Sequence, residues 1–237
     1  MEWREQGIVL SARKHGESSS IVTLLTAEHG RHAGLVRGGA GRRARGLYQP
    51  GNRLAVVWRA RLAEQLGSYT CEMVNAAAAV LLDDPLRLSG LSAACAVADR
   101  SLPERQPHVA IYQGLNILIG SFGGDDWPSV YLKWELGLLQ ELGFGLDLSR
   151  CAATGTTENL THVSPKTGRA VSAATAAPYK EKLLALPQFL LQSGIAGDAD
   201  DVISGLTLTG YFLERYIFEG ATPDARHRLL ERLRRKL

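Results

Sequence analysis

The sequence predicts a multidomain α+β protein: a small N-terminal β-barrel followed by an α-helical domain. Three observations carry that prediction. Residues 1–75 break into short runs rich in Val, Ile, Leu and Thr, separated by glycine-bearing turns. After Asn75, apolar residues recur at helical spacing. Charge also changes sign along the chain. Residues 1–62 hold 11 Lys/Arg against 4 Asp/Glu, a balance of +7; residues 63–225 hold 10 against 19, or −9; residues 226–237 hold 6 against 1, or +5.

Taken in order, 6–13 (QGIVLSAR), 20–26 (SIVTLLT) and 32–37 (HAGLVR) read as strands, joined by K-H-G-E and E-H-G-R turns. In 53–61 (RLAVVWRAR), strict alternation puts Leu54, Val56 and Trp58 on one face. Segment 66–74 is a fifth strand. Five short strands and one long connection match the oligonucleotide-binding (OB) fold, the common five-stranded barrel. The connection, residues 38–51, is expected to be a mobile loop. Gly38, Gly39, Gly41 and Gly46 disfavour regular structure in its first half, and Arg42, Arg43 and Arg45 ride on it. It lacks the terminal Lys-Ser/Thr of a nucleotide-binding P-loop, so ATP binding is not expected.

The helical part opens with NAAAAVLL, with Asn75 as its N-cap, and ends at Asp83-Asp84-Pro85. Helices follow at 86–102, 107–122 and 127–143, the last stopping at Gly143. Two more lie at 198–218 and 223–237, the latter with Pro223 and Asp224 at its start. Residues 149–177 form a small, polar insert with no helical stripe. The domain boundary falls between 1–78 and 79–237.

Composition narrows the function classes. Hydrophobic residues at 45% and charged residues at 22% exclude wholesale disorder and a disulfide scaffold. No apolar run is long enough for a transmembrane helix, and MEWREQG lacks a signal-peptide apolar core. Three scattered cysteines point to a reducing compartment, so a cytoplasmic protein is expected. No nucleophile–base pair emerges. Among the histidines, His29 and His32 lie at a turn with no carboxylates to complete a metal site, and read as turn or surface positions. The pairs Asp83-Asp84 and Asp125-Asp126, and the group Asp198, Asp200 and Asp201, flank helix ends, where carboxylates cap helices. No enzyme and no cofactor is expected. The basic N-terminal block instead suits a polyanion.

Residues 13–50 carry Lys14, Gly16 and Glu17, then Ile21 to Leu24 with Thr26, His29-Gly30, and a glycine/basic loop ending in Gln49-Pro50. With WELGLLQELGFGLDLSRC (134–151) and HVSPKTGRAVS (162–172), this series resembles the RecO family of bacterial DNA repair proteins. The resemblance implies a recombination mediator, associated with the nucleoid, that binds single- and double-stranded DNA and anneals complementary strands. It also implies engagement of the tail of the single-stranded-DNA-binding protein SSB and, with RecR, help in loading RecA.

Some members carry a C-x-x-C…C-x-x-C zinc knuckle in the insert. Here Cys151 holds the first position, while Thr154, Ser172 and Thr175 stand at the others. Hydroxyls do not replace thiolates on zinc, and adding His162 gives only two ligands, so the insert is zinc-knuckle-like without its metal ligands and no zinc is expected.

Read as a DNA-binding protein, the chain offers Arg13, Lys14, Arg31, Arg37, Arg42, Arg43 and Arg45 as phosphate contacts, little dependent on sequence. Arg228, Arg232 and Arg235 form a second basic set on the C-terminal helix, where Leu229, Leu230, Leu233 and Leu237 make an apolar stripe. Trp58 reads as core, and Tyr48 as either core or a base-stacking ring. A protein-only adaptor, whose basic barrel docks acidic partners, is the competing reading.

Overall fold

A computed structural model describes residues 1–192 and 194–236, apart from the side chains of Arg43 and Lys236. Two compact units divide the chain: residues 1–119 with 223–229, and residues 120–222 with 230–237.

The first unit is built on β1 (Glu2–His15), β2 (Ser19–Thr26), β3 (Gly30–Val36), α1 (Arg42–Leu47), β4 (Arg53–Arg59) and β5 (Ser68–Asn75). Its strands close into a barrel in the order β1-β2-β3-β5-β4. Every pairing is antiparallel except β3 with β5, which meet in parallel at Leu35↔Ser68. This is the five-stranded OB barrel the strand pattern predicts. β1 is much longer than residues 6–13 because its two ends serve different neighbours: Glu2–Ile8 pair with β4 and Gly7–His15 with β2. Val9, Val22, Leu24, Val36, Leu54, Val56, Trp58 and Tyr69 fill the barrel, so the alternation in β4 reads correctly onto its buried face. The turn from β2 to β3 needs Gly30, which has φ +63° and faces the Gln106 carbonyl so closely that a Cβ would lie 2.0 Å from its oxygen.

The connection 38–51 corrects the expected mobile loop. Arg42, Arg43 and Arg45 lie on the helix α1, whose N-cap is the extended Gly41. Gly46 does not prevent it, because one helical glycine costs only about 1 kcal/mol and packing outweighs that. Ala44 and Leu47 pack on the barrel core, and Tyr48 is part of it. Asn52, 1% exposed, caps the far end: its Nδ2 donates to the carbonyls of Gly46 (2.9 Å) and Leu47 (3.1 Å).

Asn75 is likewise not an N-cap. It ends β5, paired with Arg53, and α2 (Ala77–Val80) is a single turn. The acceptor at its start is again Asn52, whose Oδ1 takes the Ala78 N–H at 3.2 Å. α3 (Pro85–Ser101) begins as expected, with Asp84 accepting from the Leu86 and Arg87 N–H groups and Pro85 in the first turn. α4 (Val109–Ser121) follows.

In the second unit, α5 (Trp127–Glu141) ends just before Gly143, which takes φ +88°. The insert is not structureless: its β6 (Leu160–Val163) and β7 (Ala170–Ser172) form an antiparallel sheet with β8 (Leu184–Ala185), which follows the insert, in the order β7-β6-β8, and α6 (Ala173–Ala176) is one turn. Leu160, Val163, Ala170 and Val171 are the sheet's buried apolar residues. α7 (Ala199–Phe212) is capped by Asp198, which accepts the Asp201 N–H at 2.8 Å, and runs on into a π-helical turn at Leu213–Ile217. Its Thr209 hydroxyl donates to the fully buried Glu135 of α5 at 2.5 Å. α8 (Asp224–Lys236) closes the chain, contributing residues up to 229 to the first unit and the remainder to the second. Among the described residues no helix is long and apolar enough to cross a membrane.

Candidate nucleic-acid interface

Of the barrel's basic residues predicted to meet phosphate, two line one groove, three more are exposed without an ion pair among the described residues, and Arg31 is used elsewhere. Lys14, near the end of β1, and Arg45, on α1, line one cavity of about 430 Å³ with Ser11, Ser20, Tyr48 and Gln49. Pairing of Lys14 with Ser20 puts the lysine beside the first residues of β2. Packing of Ala44, Leu47 and Tyr48 against the core fixes which side α1 presents. Arg42 is exposed on the same helix, and the Arg43 side chain lies outside the described residues. Arg13 and Arg37 are also exposed, on β1 and just after β3. Among the described residues Arg13, Lys14, Arg37, Arg42 and Arg45 make no ion pair.

Arg31 is differently occupied. Its Nε donates to the Leu102 carbonyl at 2.7 Å, and its guanidinium pairs with Asp99 at 3.3 Å and Glu104 at 3.6 Å, with the side chain about 20% exposed. It ties β3 to the end of α3 and is better read as a strut than as a phosphate contact.

Tyr48 resolves to core. It is buried, and burial, with Cys71 beside it, pushes its hydroxyl above the usual phenol range. Trp58 is core too, with its Nε1 donating to the Leu66 carbonyl at 3.0 Å.

On α8, Arg228, Arg232 and Arg235 are exposed at intervals of four and three residues, hence along one face, while Leu229 and Leu233 are buried. Leu237 lies outside the described residues. Arg226 of the same helix is buried.

The histidines need a correction. His29 is at the turn as expected, but His32 is 3% exposed inside the barrel end, sharing a 2.8 Å hydrogen bond with the Tyr69 hydroxyl, which itself donates to the His32 carbonyl. Burial, then the nearby charges of Arg105 and His29, lower its pKa to about 4. Strand alternation could have found it, since His32 shares the buried face of β3 with Gly34 and Val36.

In the insert, Cys151, Thr154, Ser172 and Thr175 do meet. The Ser172 N–H donates to the Cys151 sulfur at 3.3 Å, the Ser172 hydroxyl reaches that of Thr175 at 3.1 Å, and the sulfur lies 3.8 Å from the same Thr175 oxygen. Burial raises the thiol's pKa, but hydrogen bonds from Thr154 and Ser172 outweigh it and hold the group at about 5. One sulfur and three hydroxyls do not suit zinc, whose structural sites use thiolate and imidazole. These positions therefore knit the insert through hydrogen bonds. Among the described residues no three His, Cys, Asp or Glu side chains gather as a metal site.

Comparison with known proteins covers both parts of the chain. Residues 1–77 match the family model for the Recombination protein O N terminal, and residues 82–223 that for the Recombination protein O C terminal. Relatives described as DNA repair protein RecO include that of Phenylobacterium zucineum, 53% identical over 98% of both chains. The protein of Rhodospirillum centenum is 51% identical, covering 99% of this chain and 96% of its own. That of Cereibacter sphaeroides strain ATCC 17023 is 49% identical over 99% of this chain and the whole of its own.

Proposed function

Because the chain belongs to the RecO family of DNA repair proteins, we propose that it acts as a non-enzymatic recombination mediator. It binds single- and double-stranded DNA through phosphates, anneals complementary strands and, with RecR, helps load RecA onto strands coated by SSB. The observation that carries the reading is the groove where Lys14 and Arg45 converge, with Arg13, Arg37 and Arg42 exposed nearby. Cations at such a groove neutralise phosphates and release counterions whatever the sequence. That same neutralisation lets two like-charged strands approach, which is what annealing requires and which involves no covalent step.

We assign DNA contact first to Arg13, Lys14, Arg37, Arg42, Arg43 and Arg45, and a secondary contact to Arg228, Arg232 and Arg235. The barrel, residues 1–78, is the nucleic-acid module in this reading, and the mainly helical remainder, residues 79–237, of which 79–119 and 223–229 belong to the same compact unit as the barrel, engages the acidic SSB tail. The setting is the cytoplasm, at the nucleoid.

The test is annealing of two complementary labelled strands, followed by energy transfer, without nucleotide or metal. The protein should accelerate it severalfold, and reversal of Arg42, Arg43 and Arg45 to Glu should abolish the acceleration. No acceleration, with intact binding to protein partners, would support the adaptor reading instead.

A further inference from the structure

The first unit holds a second cavity, of about 450 Å³, at the other end of β1 from Lys14. Eleven residues of strand, at most about 36 Å, separate Lys14 from Trp3, which lines it. Its wall holds three nearly parallel rings, with His32 edge-on to the two tryptophans among them. Trp58, in the core, pairs with Trp3 across β1 and β4; the two rings are 18° from parallel with centroids 5.8 Å apart. Trp3 in turn stacks on His29 at 4.1 Å and 12°. The series ends there: the His29 side chain is about a third exposed, and among the described residues no further ring stacks on it.

The outermost ring is held in place. His29 Nδ1 lies 2.8 Å from Glu5 Oε2, while Glu5 Oε1 accepts the N–H groups of Ala27 (2.6 Å) and Glu28 (2.9 Å). Arg105, also lining the cavity, has its guanidinium committed to the carbonyls of Ala63 and Gln65. Glu2 is paired with Arg4 and Arg59. The Met1 ammonium donates to the Ala60 carbonyl at 2.6 Å, so the cations of the wall are engaged within the protein, while Glu28, exposed in the lining, repels phosphate. What the cavity offers is a π-face, in a volume within the range of about 300–1,000 Å³ usual for small-ligand sites.

We propose that this cavity takes one unpaired nucleobase, held against the exposed His29 ring and the Trp3 and Trp58 rings that line the cavity with it. This rests on the DNA-binding reading: the phosphates follow the basic groove, and a base is captured apart from them. A duplex, with its bases already stacked, has none to give, so the cavity favours single strands.

The experiment compares binding of the full chain, by fluorescence anisotropy, to two strands of about eight nucleotides, within the usual site size for this fold. One carries thymine at every position and the other is abasic throughout. Wild type should bind the thymine strand about tenfold more tightly, as expected for one base–aromatic stack. In His29→Ala that preference should fall to near unity with affinity for the abasic strand unchanged, and in His29→Phe, which keeps a ring, it should return. Equal affinity for both strands in wild type would overturn the proposal, as would a preference that survives His29→Ala. Equal affinity is also the outcome if the cavity seats a partner protein's side chain. Failure to bind either strand at low salt would overturn the DNA-binding reading as well.

Discussion

His32 shows how one residue's surroundings become a measurable property of the barrel. Its pKa lies near 4 in the folded chain against an ordinary 6.5, chiefly through burial. Between those values the unfolded chain binds a proton that the folded chain refuses, so stability rises with pH across the window and falls as pH drops from 6.5 towards 4. Urea midpoints should fall accordingly in wild type, and His32→Gln should show a shallower slope over the same window. Identical slopes would contradict the buried, neutral imidazole. Asn52 is the other residue on which much depends, since its side chain serves both the end of α1 and the start of α2. Neither role is legible in the sequence, because an asparagine after Pro-Gly reads as a turn residue and its partners are backbone groups of segments that periodicity does not reveal.

Among the elements, legibility follows length and pattern. The alternation of Leu54, Val56 and Trp58, and the Asp84-Pro85 start of α3, are local signals that survive into the fold. β6, β7 and β8, with four, three and two residues, are too short for alternation to register. α1 is hidden for another reason: its six residues include a glycine, and its stability comes from Ala44, Leu47 and Tyr48 packing on a core assembled from distant strands. A substitution checks this. At Gly46 an added Cβ would meet nothing within 4 Å, so Gly46→Ala should stabilise the protein by about 0.5–1 kcal/mol in urea unfolding. No gain would mean that the arginines ride on a loop after all. The insert makes a second check possible. Since Cys151, Thr154, Ser172 and Thr175 already converge, Thr154→Cys, Ser172→Cys and Thr175→Cys together should bind one zinc per chain by metal analysis, while wild type binds none. Stoichiometric zinc in wild type would contradict the hydrogen-bonded account.

For the whole molecule, the decisive feature is the segregation of charge into a basic barrel sequence, an acidic middle and a basic end. That much could be read before any fold was known, and it is what directs the proposed interface to the barrel. What the sequence could not separate was Arg31, a strut paired with Asp99 and Glu104, from Lys14 and Arg45, which share a groove. Trp3 escaped notice because the part of β1 that holds it is defined by pairing with β4. The function of the whole molecule turns on phosphate binding at the groove, and the salt dependence of single-strand affinity decides it. Anisotropy titrations between about 50 and 200 mM salt should give a steep linear fall of log affinity with log salt, indifferent to base sequence. With Arg42, Arg43 and Arg45 reversed to Glu, the slope should become shallower by about one unit for each phosphate no longer neutralised, and it should not change in Arg31→Met. An unchanged slope in the triple variant, or no binding by wild type at the lowest salt, would contradict the assignment of that groove to DNA.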